Sequence, residues 1–177
     1  LEALTLLGSL KIRAQKLEGA KKVFEKVIEI YPDHAPAYIE LGFIYVRTNR
    51  QKDAIALFKK TLEVDPLQAT ALKVIVDDYL KHKDFDSALK LCEENKKKAK
   101  DNQVHAAVIE YLKGRIYKFK GDIERAQTHF ETSIELDADL INAHMALTEM
   151  YIKEKKIDRV ISHYENILNR NPDFLLG

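Results

Sequence analysis

Tyr38, Leu41, Gly42 and Tyr45 stand at the i, i+3, i+4, i+7 spacing that lines up side chains on one face of a helix. A little further on, Ala54, Phe58 and Thr61 draw a second stripe at i, i+4, i+7, and Pro66 follows where that helix has to stop. The residue before a proline is biased out of the helical region, so Pro32 and Pro172 punctuate the chain in the same way. No window alternates with the period of two that a half-buried strand would need. The pattern predicts helices in pairs and an all-α class.

The pairs recur on one ruler. Phe24, Phe58, Cys92, Phe130 and Tyr164 fill a single slot at steps of 34, 34, 38 and 34 residues. Ala20, Ala54, Ala88, Ala126 and Val160 step identically, as do Gly8, Gly42, Val76, Gly114 and Thr148. The expected organisation is one array over 1–174, with repeats at 1–34, 35–68, 69–102, 107–140 and 141–174 and an insert at 103–106. Residues 175–177 would open a sixth unit, and a sequence that starts at position 1 of one repeat and stops inside another is expected to belong to a longer protein. Glycine within a helix costs roughly 1 kcal/mol relative to alanine, so its return at position 8 calls for close approach of a second helix. An insert of one turn would lengthen a helix without much rotating its face. Together with Asn95, Lys96 and Lys98 at positions usually apolar or small, it predicts a local weak point between repeats three and four.

Within each unit a large apolar residue at position 4, Leu-Gly at 7 and 8, an aromatic at 11, Ala at 20, an aromatic at 24 and Pro at 32 resemble the tetratricopeptide repeat. The second unit carries the pattern as Tyr38, Leu41, Gly42, Tyr45, Ala54, Phe58 and Pro66. Departures are local: Val76, Cys92 and Lys100 in the third unit, Glu110 in the fourth, and a mid-repeat glycine kept only at Gly121. The resemblance implies a right-handed superhelical solenoid of antiparallel helix pairs, with the first helix of each pair lining a concave face.

A net charge of +1 gives no electrostatic case for nucleic acid, which calls for a basic stripe. No stretch approaches the roughly 18 apolar residues of a membrane span. The single Cys92 sits in the repeat's aromatic slot and reads as a small core residue, since one cysteine builds neither a disulfide framework nor a zinc site. The six histidines fall at scattered repeat positions with no i, i+4 pair, so no metal or cofactor is expected. There is no phosphate-cradling glycine loop and no nucleophile elbow, so the chain is not expected to be an enzyme.

Function is therefore expected on a surface. Positions 2, 5, 6, 9, 12 and 13 of the first helices lie opposite the 4, 7, 8, 11 stripe and are free for a partner. They predict a groove containing Ile39, Phe43, Arg47, Lys73, Val74, Asp77, Tyr111, Leu112, Arg115, Phe119, Met145 and Glu149, read as a scaffold for a protein, peptide or helical segment. The chaperone-type carboxylate clamp that some family members carry is not matched, because its slots hold Thr5, Ser9, Glu40, Thr70 and Val74. Val160, Tyr164, Ile167 and Leu168 on the last helix predict an end face for self-association into a homo-oligomer. An array recruiting substrates for an enzyme elsewhere in a longer protein is the remaining alternative.

Overall fold

The computed structural model describes residues 1–170, and these form ten α-helices. They are α1 (Glu2–Arg13), α2 (Leu17–Ile30), α3 (Ala35–Arg47), α4 (Gln51–Val64), α5 (Ala69–Lys81), α6 (Phe85–Ala99), α7 (Gln103–Lys120), α8 (Ile123–Leu136), α9 (Ile141–Lys153) and α10 (Ile157–Arg170). No strand occurs among the described residues. The last four residues expected in the fifth repeat, and the proposed start of a sixth, lie outside them.

One turn closes every pair. Gln15, Asn49, Lys83, Gly121 and Lys155 all have positive φ, between 56° and 86°. The backbone N–H one residue later reaches back five residues, as in Arg50 to the Tyr45 carbonyl at 2.8 Å and Asp122 to that of Tyr117 at 3.0 Å. This is a Schellman closure, which satisfies helix carbonyls that would otherwise lack donors. Only Gly121 is free of the left-handed penalty, about 1–2 kcal/mol for an L residue. The other four turns are held by their surroundings; Arg50, for instance, lies over the Tyr45 ring at 4.2 Å.

The helices of a pair meet at the glycines. A Cβ placed on Gly8 would stand 2.5 Å from the Phe24 ring, one on Gly42 2.9 Å from Phe58, and one on Gly114 2.6 Å from Phe130. All three aromatics are fully buried. The fifth pair replaces this arrangement with a hydroxyl contact, Thr148 Oγ1 to the Tyr164 hydroxyl at 3.4 Å.

The chain divides into two compact units, Leu1–Leu91 and Cys92 onward, so the division falls within α6. In the first unit Ala20, Phe24 and Val27 of α2 form a core with Ala37, Leu41 and Ile44 of α3, flanked by Leu4, Ile12 and Leu57. In the second, Ala126 and Phe130 of α8 form one with Leu147, Met150 and Tyr151 of α9, flanked by Tyr111, Tyr117 and Ile134. Helix α7 has 18 residues, and its first turn is made by residues 103–106. Asn102 caps it by accepting from the His105 backbone N–H at 2.8 Å.

Candidate partner-binding face

In the second unit, five of the predicted groove residues come together. Tyr111, Arg115 and Phe119 from α7 and Met145 and Glu149 from α9 line a concave pocket of about 370 Å³, together with Lys118, Phe130, Asn142 and Ala146. The spacing of four between successive α7 residues keeps them on one helix face. Phe119 and Met145 are each 61 % exposed, although both are large and apolar. Tyr111 is half-buried and packs on Phe130 with ring centroids 5.9 Å apart, so it forms part of the floor. The Arg115 guanidinium lies 5.8 Å from the Tyr111 ring centroid.

One wall of this pocket is ionic. Glu149 accepts from Lys118 at 2.6 Å and from Lys153 at 2.8 Å. The Lys118 hydrogen bond, seconded by Lys153, lowers the Glu149 carboxyl to about 2. Glu149 is therefore ionised across the neutral range and already committed to two cations.

Leu112 does not belong to this face. It is fully buried, because position 6 lies only about 40° around the helix from position 10, and an apolar side chain there turns inward. In the first unit, Phe43 and Arg47 are exposed on α3 while Ile39 is half-buried; on α5, Lys73 is exposed while Val74 and Asp77 are half-buried. The Phe43 ring meets Phe58 edge-on at 5.3 Å. On the last helix, Leu168 is exposed and Val160 and Tyr164 are half-buried. Ile167 is buried and leaves the predicted end face, since its place at i+7 from Val160 puts it on the stripe that packs inward.

A buried ionic seam in the second unit was not foreseen. Glu110 and Lys113, at positions 4 and 7 of the fourth repeat, are both buried. Glu110 Oε1 accepts from Lys96 Nζ at 2.8 Å, and its Oε2 accepts from His129 Nδ1 at 2.7 Å. Lys113 pairs with Glu93 and lies 3.7 Å from Glu110. The His129 hydrogen bond leads in lowering the Glu110 carboxyl to about 2, against the opposing effect of burial and with help from Lys96. Burial works against the Lys113 ammonium, but Glu93 and Glu110 outweigh it and raise its pKa. Beside them His105 Nε2 donates to Asn95 Oδ1 at 2.6 Å. Burial pushes the neighbouring Cys92 thiol up to about 12, leaving it a protonated core residue.

Asn95 and Lys96 therefore do not merely interrupt a core stripe: they meet His105 and Glu110 on α7. Nor are all six histidines scattered: three of them follow the ruler. His129 and His163 are 34 residues apart, both at position 23, and each faces position 4 of its own repeat. In the fifth repeat that partner is His144, whose Nδ1 accepts from His163 Nε2 at 3.0 Å while its Nε2 donates to the Ala138 carbonyl at 2.9 Å. Stepping the ruler through the polar residues, rather than the apolar ones alone, would have exposed this pairing.

Two sequence profiles described as tetratricopeptide repeat match the chain, over residues 11–73 and 111–140. The chain belongs to the tetratricopeptide repeat family. No curated protein matches it in sequence. Among solved structures it is similar to PilF of Pseudomonas aeruginosa, at 20 % identity and a TM-score of 0.70, covering 95 % of this chain and 75 % of that one. It is also similar to a thermophilic tetratricopeptide repeat protein of Thermus thermophilus, at 17 % identity and a TM-score of 0.65, covering 97 % and 91 %. Yeast Tom70 gives 22 % identity and a TM-score of 0.72, with 95 % of this chain placed on 36 % of that one. At these identities the likeness is one of fold, the all-α helix-pair architecture of tetratricopeptide repeat solenoids. Repeats of this family are in general non-enzymatic protein–protein interaction scaffolds, and no described helix is long and apolar enough to cross a membrane.

Proposed function

We propose that the chain binds an extended or helical segment of another protein on the free face of its first helices, with the α7–α9 pocket as an anchor point. The observation that carries this reading is the pair Phe119 and Met145, large apolar side chains standing exposed beside a preformed concavity. Exposed apolar surface rimmed by charge is characteristic of recognition sites, and here Arg115, Lys118 and Glu149 supply the rim. Ile39, Phe43, Arg47, Lys73, Val74 and Asp77 stand at the corresponding repeat positions within the first unit, where Phe43 and Arg47 are exposed on α3. A segment bound this way would have typical affinity near micromolar, about −8 kcal/mol.

The test uses peptides selected from a random display library on the intact chain. Phe119→Glu combined with Met145→Glu should lower their affinity at least tenfold, while leaving the thermal unfolding midpoint close to wild type. Both side chains project outward and carry little of the core, unlike Tyr111, whose replacement would disturb Phe130. Full retention of binding by the double variant would rule out this pocket as the anchor.

A further inference from the structure

The ionic seam of the fourth repeat has a counterpart one repeat later. Glu93 and Lys96 stand at positions 25 and 28 of the third repeat, and Glu110, Lys113 and His129 at positions 4, 7 and 23 of the fourth. One repeat on, the same five slots hold Glu131, Ile134, His144, Leu147 and His163. All five line one cavity of about 290 Å³ between α8, α9 and α10. The three-helix frame is the same, since the seam joins α6, α7 and α8, and both lie within the second compact unit.

What differs is the occupant. In the seam, Lys113 pairs with Glu93 and Lys96 donates to Glu110 at 2.8 Å, so two ammonium groups of the chain itself fill the space between the helices. In the fifth repeat isoleucine and leucine take the two lysine slots, and the space is a cavity. The carboxylate at position 25 is kept. Glu131 is half-buried, and Gln127 at 2.8 Å and Tyr151 at 3.2 Å both donate to its Oε1. Glu135 and Asp139 add exposed carboxylates, and among the described residues no lysine or arginine belongs to the lining. Arg159 lines an adjoining cavity instead, 5.8 Å from the Tyr151 ring centroid. His144 and His163, hydrogen-bonded to each other, supply a further wall. Burial, seconded by His144, lowers the pKa of His163, which therefore adds no positive charge at neutral pH.

We propose that this cavity receives a lysine side chain of a partner protein, its ammonium at Glu131 and its methylene stem against Ile134 and Leu147. The seam is the template: there the same frame already holds a lysine against the carboxylate at position 25. A lysine suits both halves of the lining, because its stem packs on apolar surface while its ammonium keeps a polar partner. Burying that ammonium requires a carboxylate to pair with it, and the lining supplies one. The volume is at the small end for ligand sites, with room for one side chain. Residues 171–177 contain no lysine that could supply it. The cavity shares no lining residue with the α7–α9 pocket, so this contact is additional to the one proposed there.

The site is tested on the intact chain with N-acetyl-lysine amide, followed through the imidazole NMR signals of His144 and His163. The charged compound should shift both signals saturably at neutral pH. N-acetyl-norleucine amide, which keeps the stem and lacks the ammonium, should leave them in place. Glu131→Gln should weaken the lysine response at least about tenfold, the loss expected when a hydrogen bond to a charged group is cut back. Circular dichroism checks that the variant folds. Should it not, Leu147→Lys takes its place: a lysine there fills the cavity as Lys113 fills the seam and should abolish the response. Should neither fold, the wild-type comparison of lysine with norleucine decides alone. No saturable shift with the lysine compound overturns the proposal, as does an equal response to the norleucine compound, which would make the cavity merely apolar. Undiminished binding by a folded variant overturns it too, and so does a response to zinc chloride alone, which would make the histidine pair a metal site.

Discussion

The second and fourth repeats carry one seam in two chemistries. At positions 4, 7 and 23 the second repeat has Tyr38, Leu41 and Leu57: Leu41 belongs to an apolar core, Leu57 packs against it, and Tyr38 is buried with its hydroxyl donating to the Pro32 carbonyl at 2.9 Å. The fourth has Glu110, Lys113 and His129, and the first two are as deeply buried as the residues they replace. Both seams are closed by the same glycine-to-phenylalanine approach, at Gly42 and Phe58 or at Gly114 and Phe130. The fold therefore dictates that these positions are buried, not that they are apolar. The ionic version is possible because His129 on α8 and Lys96 and Glu93 on α6 bring the opposite charges and donors that a buried carboxylate and ammonium require.

The comparison breaks most sharply when the ionic seam is cut on one side only. Glu110→Ala leaves Lys113 buried with one counter-charge fewer and removes the acceptor of His129. Losing one partner of a buried pair costs about 3–5 kcal/mol, read as a lower urea midpoint. Converting the seam to the chemistry of the second repeat, with Glu110→Leu, Lys113→Leu and His129→Leu together, should instead bring stability back to within about 1–2 kcal/mol of wild type, since replacing a whole buried ionic group with well-packed apolar residues is often neutral or favourable. A triple variant as unstable as the single would mean that the charges organise the packing and do not merely tolerate it.

The feature that the two repeats share gives a smaller effect. Alanine at Gly42 or Gly114 would raise helix propensity by about 1 kcal/mol. Each nevertheless forces a methyl into a phenylalanine ring, and overpacking of this kind typically costs about 1–3 kcal/mol. Both variants should lose stability, Gly114→Ala more than Gly42→Ala, because its Cβ would come closer, at 2.6 Å against 2.9 Å. A gain in thermal midpoint for either would show that the rings can withdraw.

The mildest perturbation is a proton. The Glu110 carboxyl is held at about 2 in the folded chain, below its ordinary value of 4.5. A depressed folded pKa contributes stability that is fully present above the unfolded value and is lost as pH falls through the folded one. Urea midpoints should therefore fall on acidification between about pH 4.5 and pH 2, and fall less in the triple leucine variant. Glu149, also lowered to about 2, keeps its share in both proteins. Equal acid sensitivity in the two would place the loss elsewhere.

Much of this was legible in the chain. The 34-residue ruler predicted paired helices and a close helix approach at the position-8 glycines, because period and steric size are properties of single positions; the left-handed turn within each pair and the phenylalanine ring that each glycine meets came from the structure. The groove residues were legible in part: Tyr111, Arg115, Phe119, Met145 and Glu149 do line one pocket. Leu112 was not, because it lies at the border of the free face, where angular position alone cannot say whether a side chain is covered. Glu110, Asn95 and Lys96 were visible as departures, yet each one taken alone looked like a flaw.

The sequence by itself determined that the chain folds as helix pairs and which slots need a small or an aromatic side chain. These follow from local sterics and periodicity, which act between residues a few positions apart. Only the tertiary structure decided that Glu110 meets His129 and Lys96, that Asn95 meets His105, and that Leu112 and Ile167 turn inward. Those outcomes depend on side chains from different helices reaching the same few ångströms, where burial makes an unpaired charge costly and a paired one stable.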